Sequence, residues 1–367
     1  MKGLPIRRPL RFATVLVLLV ATASTARAQE QGAGDSIRWQ DAPALGQPRD
    51  HHAVFEVRAG DRTWIHVAGG TDYRGMFDDV SRAAVADDGS LGPWESVRPL
   101  PTPRAGASAL ATADVVVLAG GQVTTGEGLR GLRRIDEVYT ARVLPGGELG
   151  PWRPGPTLPR PRFHHPLVRH GEWLYVVGGQ GEREAEAGVF AARLGPDGSL
   201  SDWIEATPLP RPRSHHAALV IGQHLYVFGG LDGRAGGHEA GFVDVLRAEI
   251  GSDGTLGEWR RASTIPHAYA TQSVVLHGGH VWMFGGVEDL QRFSADVWRA
   301  ALNADGSIGP WTEVPTPLPH ARGHVHVTPL VDGRVYSAGG RVVGTGTGPE
   351  VTGAVHVGEL PGPARTD

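Results

Sequence analysis

The stretch "PLPRPRSHHAALVIGQHLYVFGG" (Pro208–Gly230) sets a Pro-Arg connection and a doubled histidine before an apolar run that closes on two glycines. Its second half reads as two short strands, about His216–Ile221 and Leu225–Gly230, joined by the tight turn Ile221–Gln223. Whether Arg213, His215 and His216 form a site or belong to the framework depends on whether the stretch recurs.

It does recur. Glycine pairs follow an apolar strand at Gly69-Gly70, Gly120-Gly121, Gly178-Gly179, Gly229-Gly230, Gly285-Gly286 and Gly339-Gly340, spaced 51, 58, 51, 56 and 54 residues apart. A second marker keeps step, a turn of the type "DGSLGPW" ending at Trp94, Trp152, Trp203, Trp259 and Trp311. Period-two stretches such as "VDVLRAEI" (Val243–Ile250) broken by Gly-rich turns predict a four-stranded antiparallel meander, a to d, in each unit. In the fourth unit strand c starts near Phe242 and strand d carries Trp259. One such sheet leaves both faces bare, whereas six arranged radially cover one another, so the expectation is an all-β, six-bladed β-propeller. The last unit lacks a tryptophan strand, and "SIRWQDAP" (Ser36–Pro43) is such a strand without a unit. Trp39 is therefore expected to supply strand d of the last blade and close the ring, leaving no open edge.

These markers resemble the Kelch repeat, with its glycine pair after strand b, aromatic residue on strand c or d, and Arg with small or His residues where strand a begins. The resemblance covers essentially the whole chain after its first residues and extends to exported bacterial Kelch propellers. It speaks to the fold more than to function, because Kelch propellers include enzymes, carbohydrate-binding proteins and protein-interaction domains.

The first residues read differently. A basic start (Lys2, Arg7, Arg8, Arg11), the apolar run Phe12–Ser24 and the small-residue pattern Ala26-Arg27-Ala28 read as a signal peptide, 1–28, cut after Ala28, leaving 29–367 as the propeller. Arg7-Arg8 resembles a twin-arginine export signal, but Pro9 departs from that pattern, favouring the general secretory route. Cleavage removes five positive charges and leaves a formal charge of −9, which argues against a nucleic-acid partner. No later run has the roughly 20 apolar residues a membrane span needs. A soluble periplasmic or secreted protein, monomeric, is expected. The absence of cysteine from the chain removes disulfides, thiolate metal sites and the Tyr-Cys crosslink on which copper-radical oxidases of similar architecture depend.

Alternating strand direction puts the d–a and b–c connections on one face. The a–b and c–d turns of the other face are short, while the b–c segments are long and varied, notably Gln122–Glu137. Function is expected on the long-loop face and at the mouth of the channel, and the Gln122–Glu137 loop is expected to cover part of that mouth.

At the start of strand a, Arg49, Arg104, Arg162, Arg213 and Arg322 align, with Tyr269 in the fifth unit. They read either as a cationic ring for a ligand or as a repeated structural clamp, the role their frequency in Kelch repeats implies. Two residues on stand His51, His164, His215 and His324, where Kelch repeats usually carry a small residue; Gly106 and Thr271 fill the other two units. If His52, His165 and His216 pack between blades, alternation points the first set towards the channel. Candidate ligand-binding residues are thus the five arginines, Tyr269 and these four histidines. Four inward imidazoles suit a transition metal, provided the mouth is narrow enough for nitrogens to approach to about 2.0–2.1 Å of a zinc ion; without such convergence no metal or other cofactor is called for. Asp72 and Asp232 read as turn residues. Glu182, Glu184, Glu186, Glu239, Glu288, Asp289 and Glu350 lie in the long loops, and Glu239, beside His238, is the candidate catalytic base.

No catalytic motif with its required spacing appears. The expected function is binding of a glycan, an envelope component or a protein on the loop face. The alternative is a carbohydrate mutarotase or epimerase at the channel mouth, since exported Kelch propellers similar to this chain include a sialic acid mutarotase.

Overall fold

The computed structural model describes residues 36–233, 240–288, 292–325, 327–343 and 349–362. The expected signal peptide lies outside them, as do His238, Glu239, Asp289 and His326, and all that follows concerns the unit from Ile37 onward. No helix occurs among the described residues, and none is therefore long and apolar enough to cross a membrane.

Each unit is a four-stranded antiparallel sheet. Blade 1 comprises Ala53–Ala59, Arg62–Ala68, Val80–Val85 and Glu95–Val97; blade 2, Ser108–Ala111, Val115–Ala119, Val138–Arg142 and Arg153–Pro154; blade 3, Leu167–His170, Trp173–Val177, Val189–Arg193 and Ile204–Ala206. Blade 4 runs through Ala217–Ile221, His224–Phe228, Asp244–Glu249 and Arg260–Thr264, so its strand d begins just after Trp259 rather than including it. In blade 5 strand a is split into Tyr269–Ala270 and Ser273–His277, followed by His280–Glu288, Arg292–Ala301 and Thr312–Glu313. Blade 6 has Leu330–Val331, Arg334–Ala338 and Val355–Glu359, and its fourth strand is Arg38–Ala42, paired in the register Trp39↔Gly358.

Strand b of blade 4 shows why six units need one another. Leu225 and Val227 pack into a cluster with blade 3 residues Tyr175 and Val177. The alternate residues Tyr226 and Phe228 enter the next cluster, with Val281 and Met283 of blade 5. A strand covered on both faces becomes a continuous apolar run, each side chain serving one neighbour. The hydrophobic clusters follow the blades round, and one joins Tyr336, Ala338 and Val357 of blade 6 to Val54, Ile65 and Val67 of blade 1. The last blade packs on the first.

The glycine pair is a junction between blades. The second glycine donates its N–H to the carbonyl of the aligned Arg or Tyr of the next blade: Gly70 to Arg104, Gly121 to Arg162, Gly179 to Arg213, Gly230 to Tyr269 and Gly340 to Arg49, all at 2.8–2.9 Å. Both glycines adopt positive φ, 56° and 92° at Gly229 and Gly230. A Cβ on Gly229 would stand 2.6 Å from the Tyr269 carbonyl oxygen, and one on Gly230 2.6 Å from the Cβ of His216. Only glycine fits both the conformation and the approach.

On the other face the repeated turns close on themselves. Asp88, Asp197, Asp253 and Asp305 each accept the backbone N–H and the hydroxyl of the Ser or Thr two residues on. Those hydrogen bonds hold all four carboxyls below the ordinary aspartate value.

Candidate functional site

The aligned arginines are buried, none more than 3% exposed. Each sends Nη1 to the carbonyl of the first glycine of its own blade: Arg49 to Gly69, Arg104 to Gly120, Arg162 to Gly178, Arg213 to Gly229 and Arg322 to Gly339, at 2.7–3.3 Å. Three also meet a carboxylate at the start of strand c: Asp79 for Arg49, Glu137 for Arg104 and Asp244 for Arg213. The guanidinium lies over a ring of the same blade, Phe77, Tyr139, Phe190 or Phe242. Arg162 faces the Gly188 carbonyl and Arg322 the His356 imidazole in place of a carboxylate, and burial lowers both guanidinium pKa values to about 10. Tyr269, 0% exposed, sends its hydroxyl 2.9 Å to Asp296, the blade 5 counterpart of those carboxylates. These contacts support the clamp reading for all six positions.

The position two residues on is different. His51, Gly106, His164, His215, Thr271 and His324 all have φ between 51° and 65°. The chain arrives from strand d, forms one bridge with the residue after the glycine pair (Asp50↔Thr71, Ser214↔Leu231), and must then turn sharply into strand a. Left-handed backbone suits Gly106; at the other five positions it costs of order 1 kcal/mol each, kept only where surroundings compel it. The surroundings are a run of hydrogen bonds from blade to blade. Gly106 N–H donates to the His51 carbonyl, His164 to Gly106, His215 to His164 and Thr271 to His215, at 2.7–3.1 Å, and His324 N–H donates to the Thr271 hydroxyl at 2.9 Å.

The imidazoles come together at these turns. Ring centroids are 4.3 Å apart for His51 and His324, 4.6 Å for His51 and His164, and 3.9 Å for His164 and His215. One nitrogen from each of His51, His164 and His324 lies within 4.8 Å of the other two. Where blade 2 has only Gly106, the Phe163 ring fills the place: a Cβ on Gly106 would lie 2.9 Å from it. The neighbouring set packs between blades, as alternation requires; His52 meets the Ala338 carbonyl of blade 6, and Gln272, at the same position of blade 5, meets that of Phe228.

Sequence reasoning missed the residue between Arg49 and His51. Asp50 is 0% exposed; its Oδ1 is 2.7 Å from His51 Nδ1, and its Oδ2 accepts the Tyr73 hydroxyl at 2.6 Å and Arg341 Nε at 2.9 Å. Burial would raise its carboxyl, but His51, through charge and hydrogen bond, with the charges of His324 and Arg341, holds it below the ordinary value. The signal was present: the other blades carry Ala105, Phe163, Ser214, Ala270 and Gly323 there. Ser214 has a lesser version of the role, its hydroxyl 2.8 Å from His215 Nδ1.

The loops form the rim. Gln122–Thr124 and Leu132–Arg134 pair as a hairpin, with Arg134 over the Phe163 ring and its N–H donating to Glu182 of blade 3. At the hairpin's other side Gly128 lies beside the Arg74 carbonyl of blade 1. Arg341–Val343 pairs with Pro349–Val351, and the blade 5 hairpin continues past its glycine pair to Glu288 and Arg292. Asp72 and Asp232 accept local backbone N–H groups, as turn residues do. Glu186 pairs with Arg160 and Glu288 with Arg292 and His267, while Glu350 is exposed. Below the histidines a cavity of about 430 Å³ runs between the six a strands, lined by Val54, Ala109, Val168, Leu219, Val275 and Leu330, with Glu56 and Arg169 among its few charges.

This geometry meets its relatives in the repeat itself. Beta-scruin of Limulus polyphemus is 31% identical over 136 residues, 35% of this chain and 13% of that protein. Alpha-scruin of the same animal is 25% identical over 197 residues, 51% and 20% of the two chains. Kelch domain-containing protein 3 of Bos taurus is 27% identical over 189 residues, 47% and 46% respectively. The chain thus spans less than half the length of each of these relatives. Among solved structures, "Structure of YjhT" superposes with a TM-score of 0.64 at 14% identity, covering 85% of this chain and 95% of that one, a likeness of fold. The model of the KLHDC2/KLHL20/DRC7 Kelch-repeats domain matches residues 151–340, just over half of the sequence, and the chain belongs to that Kelch-repeat family.

Proposed function

We propose that the protein is an exported binding module that engages a glycan, an envelope component or a protein partner through its long-loop face. The observation that carries this reading is where the blades differ. The opposite face repeats one self-closed Asp turn, while the b–c connections add strands of their own in blades 2 and 6 and lengthen the b and c strands in blade 5. Variable loops on a rigid, closed scaffold are the usual seat of recognition. Tyr73, Leu132, Val243 and Val343, four of the exposed large apolar side chains, belong to these connections.

Photo-crosslinking residues placed at Tyr73, Leu132 and Val343, and separately at Leu144 and Ile204 away from that face, test the proposal in envelope extracts and on immobilised glycans. Capture of one discrete species from the first three positions only is expected; equal capture from both groups, or none, rejects it. Deleting the tip of the Gln122–Arg134 hairpin should weaken capture without lowering the unfolding midpoint.

The Asp50 network favours one second reading, a carbohydrate mutarotase or epimerase. A carboxylate, an imidazole, a phenol and a guanidinium meet within hydrogen-bond reach at the channel mouth, the kind of group that exchanges protons at an anomeric centre. Faster anomer interconversion, followed by NMR with aldoses and acidic sugars and abolished in Asp50→Asn, would favour it over the binding module.

A further inference from the structure

The histidines at the mouth are more than a rim for a ligand: we propose that His51, His164 and His324 form a binding site for a divalent transition-metal ion, zinc or its nickel and copper neighbours. Three observations converge. Each of these side chains offers a nitrogen, and the three nitrogens lie within 4.8 Å of one another. Tetrahedral ligation at about 2.0–2.1 Å sets nitrogens about 3.4 Å apart, which modest imidazole rotations reach. Imidazole is the ligand these ions share.

The second observation is the support behind the ligands. Asp50 is fully buried, its Oδ1 lies 2.7 Å from His51 Nδ1, and it is itself anchored by Tyr73 and Arg341. A carboxylate behind a ligating imidazole fixes its tautomer and raises its basicity. His215, its ring centroid 3.9 Å from that of His164 and tilted 30°, stands beside the three ligands with its Nδ1 at the Ser214 hydroxyl, outside the group of converging nitrogens.

The third is conformational. At the equivalent position blade 2 uses the residue this backbone prefers, Gly106, whereas four blades hold an imidazole in left-handed backbone. Unfavourable backbone retained at several converging side chains points to a role for those side chains beyond the fold.

Protein without a polyhistidine tag is titrated calorimetrically with zinc chloride, and separately with nickel chloride. One ion per chain is expected, with the unfolding midpoint rising as the metal saturates. Replacing His51, His164 and His324 together by glycine should lower the affinity at least 100-fold while the metal-free unfolding midpoint holds, because glycine suits this backbone. Asp50→Asn should cost about 10- to 100-fold, and His280→Ala, half-buried at the start of a blade 5 strand, should change nothing. Should the triple variant misfold, X-ray absorption on the zinc-loaded wild type decides: a first shell with three or four imidazole nitrogens at about 2.0 Å supports the site. No saturable binding at tenfold excess metal, binding that survives the triple variant, or a shell with fewer than three imidazoles overturns it.

Discussion

Arg213 shows what a repeated residue contributes. Its guanidinium is wholly buried, bonded to the Gly229 carbonyl and both oxygens of Asp244, and covered by the Phe242 ring. Removing one partner of a buried ion pair leaves the other uncompensated, at a cost of about 3 kcal/mol or more. Arg213→Met should therefore lower the unfolding free energy by about 3 kcal/mol in urea titrations, and adding Asp244→Leu should recover part of the loss. A change within about 0.5 kcal/mol, as at an ordinary surface position, would remove the clamp from the framework and return the arginine to the ligand. Asp50, by contrast, has no acidic counterpart in any other blade, and only the fold reveals that it meets Arg341, 291 residues away in sequence.

At the scale of the element, the strand Arg38–Ala42 is the closure. It completes blade 6 against Val355–Glu359, and Ile37 and Trp39 enter the cluster between blades 5 and 6. Without it the strand Val355–Glu359 becomes an open edge, available for pairing with other chains. A chain starting at Ala44 should unfold about 10 °C lower, the shift several kcal/mol produces in a domain of this size, and should self-associate in sedimentation. An unchanged midpoint would mean that packing between blades alone holds the ring. This pairing was legible in the sequence because a tryptophan strand stood without a unit. The split of strand a in blade 5 and the extra rim strands were not legible, since two-residue pairings such as Tyr269–Ala270 with Val287–Glu288 leave no periodic pattern.

At the scale of the whole molecule, histidines buried between strands make stability depend on pH. Burial and the Arg49 charge lower His52 to about 4, burial and Arg82 lower His66 to about 3, and burial and Arg322 lower His356 to about 4. An unfolded histidine titrates near 6.5. Between those values the unfolded chain takes up protons that the folded chain refuses, so stability is full above about pH 6.5 and falls as the pH drops towards 4. The steepest loss is about 1.4 kcal/mol per pH unit for each histidine. Urea midpoints measured from pH 8 to 4.5 should be level and then decline, and His66→Leu should remove one share of the slope. A flat profile would show that these rings stay accessible to protons in the fold.

The sequence alone determined the repeat, the four-stranded unit, the closing strand and the face with long loops, because each is written as local period, turn chemistry or spacing. It also singled out the histidine position, since four imidazoles replaced a small residue. Only the tertiary structure decided what those positions do. The arginines point inward because the glycine carbonyls they satisfy are buried beside them. The histidines meet because left-handed turns, tied blade to blade by backbone bonds, narrow the mouth to ring-stacking distance. Convergence of residues from several blades is a property of the closed ring, and no single repeat contains it.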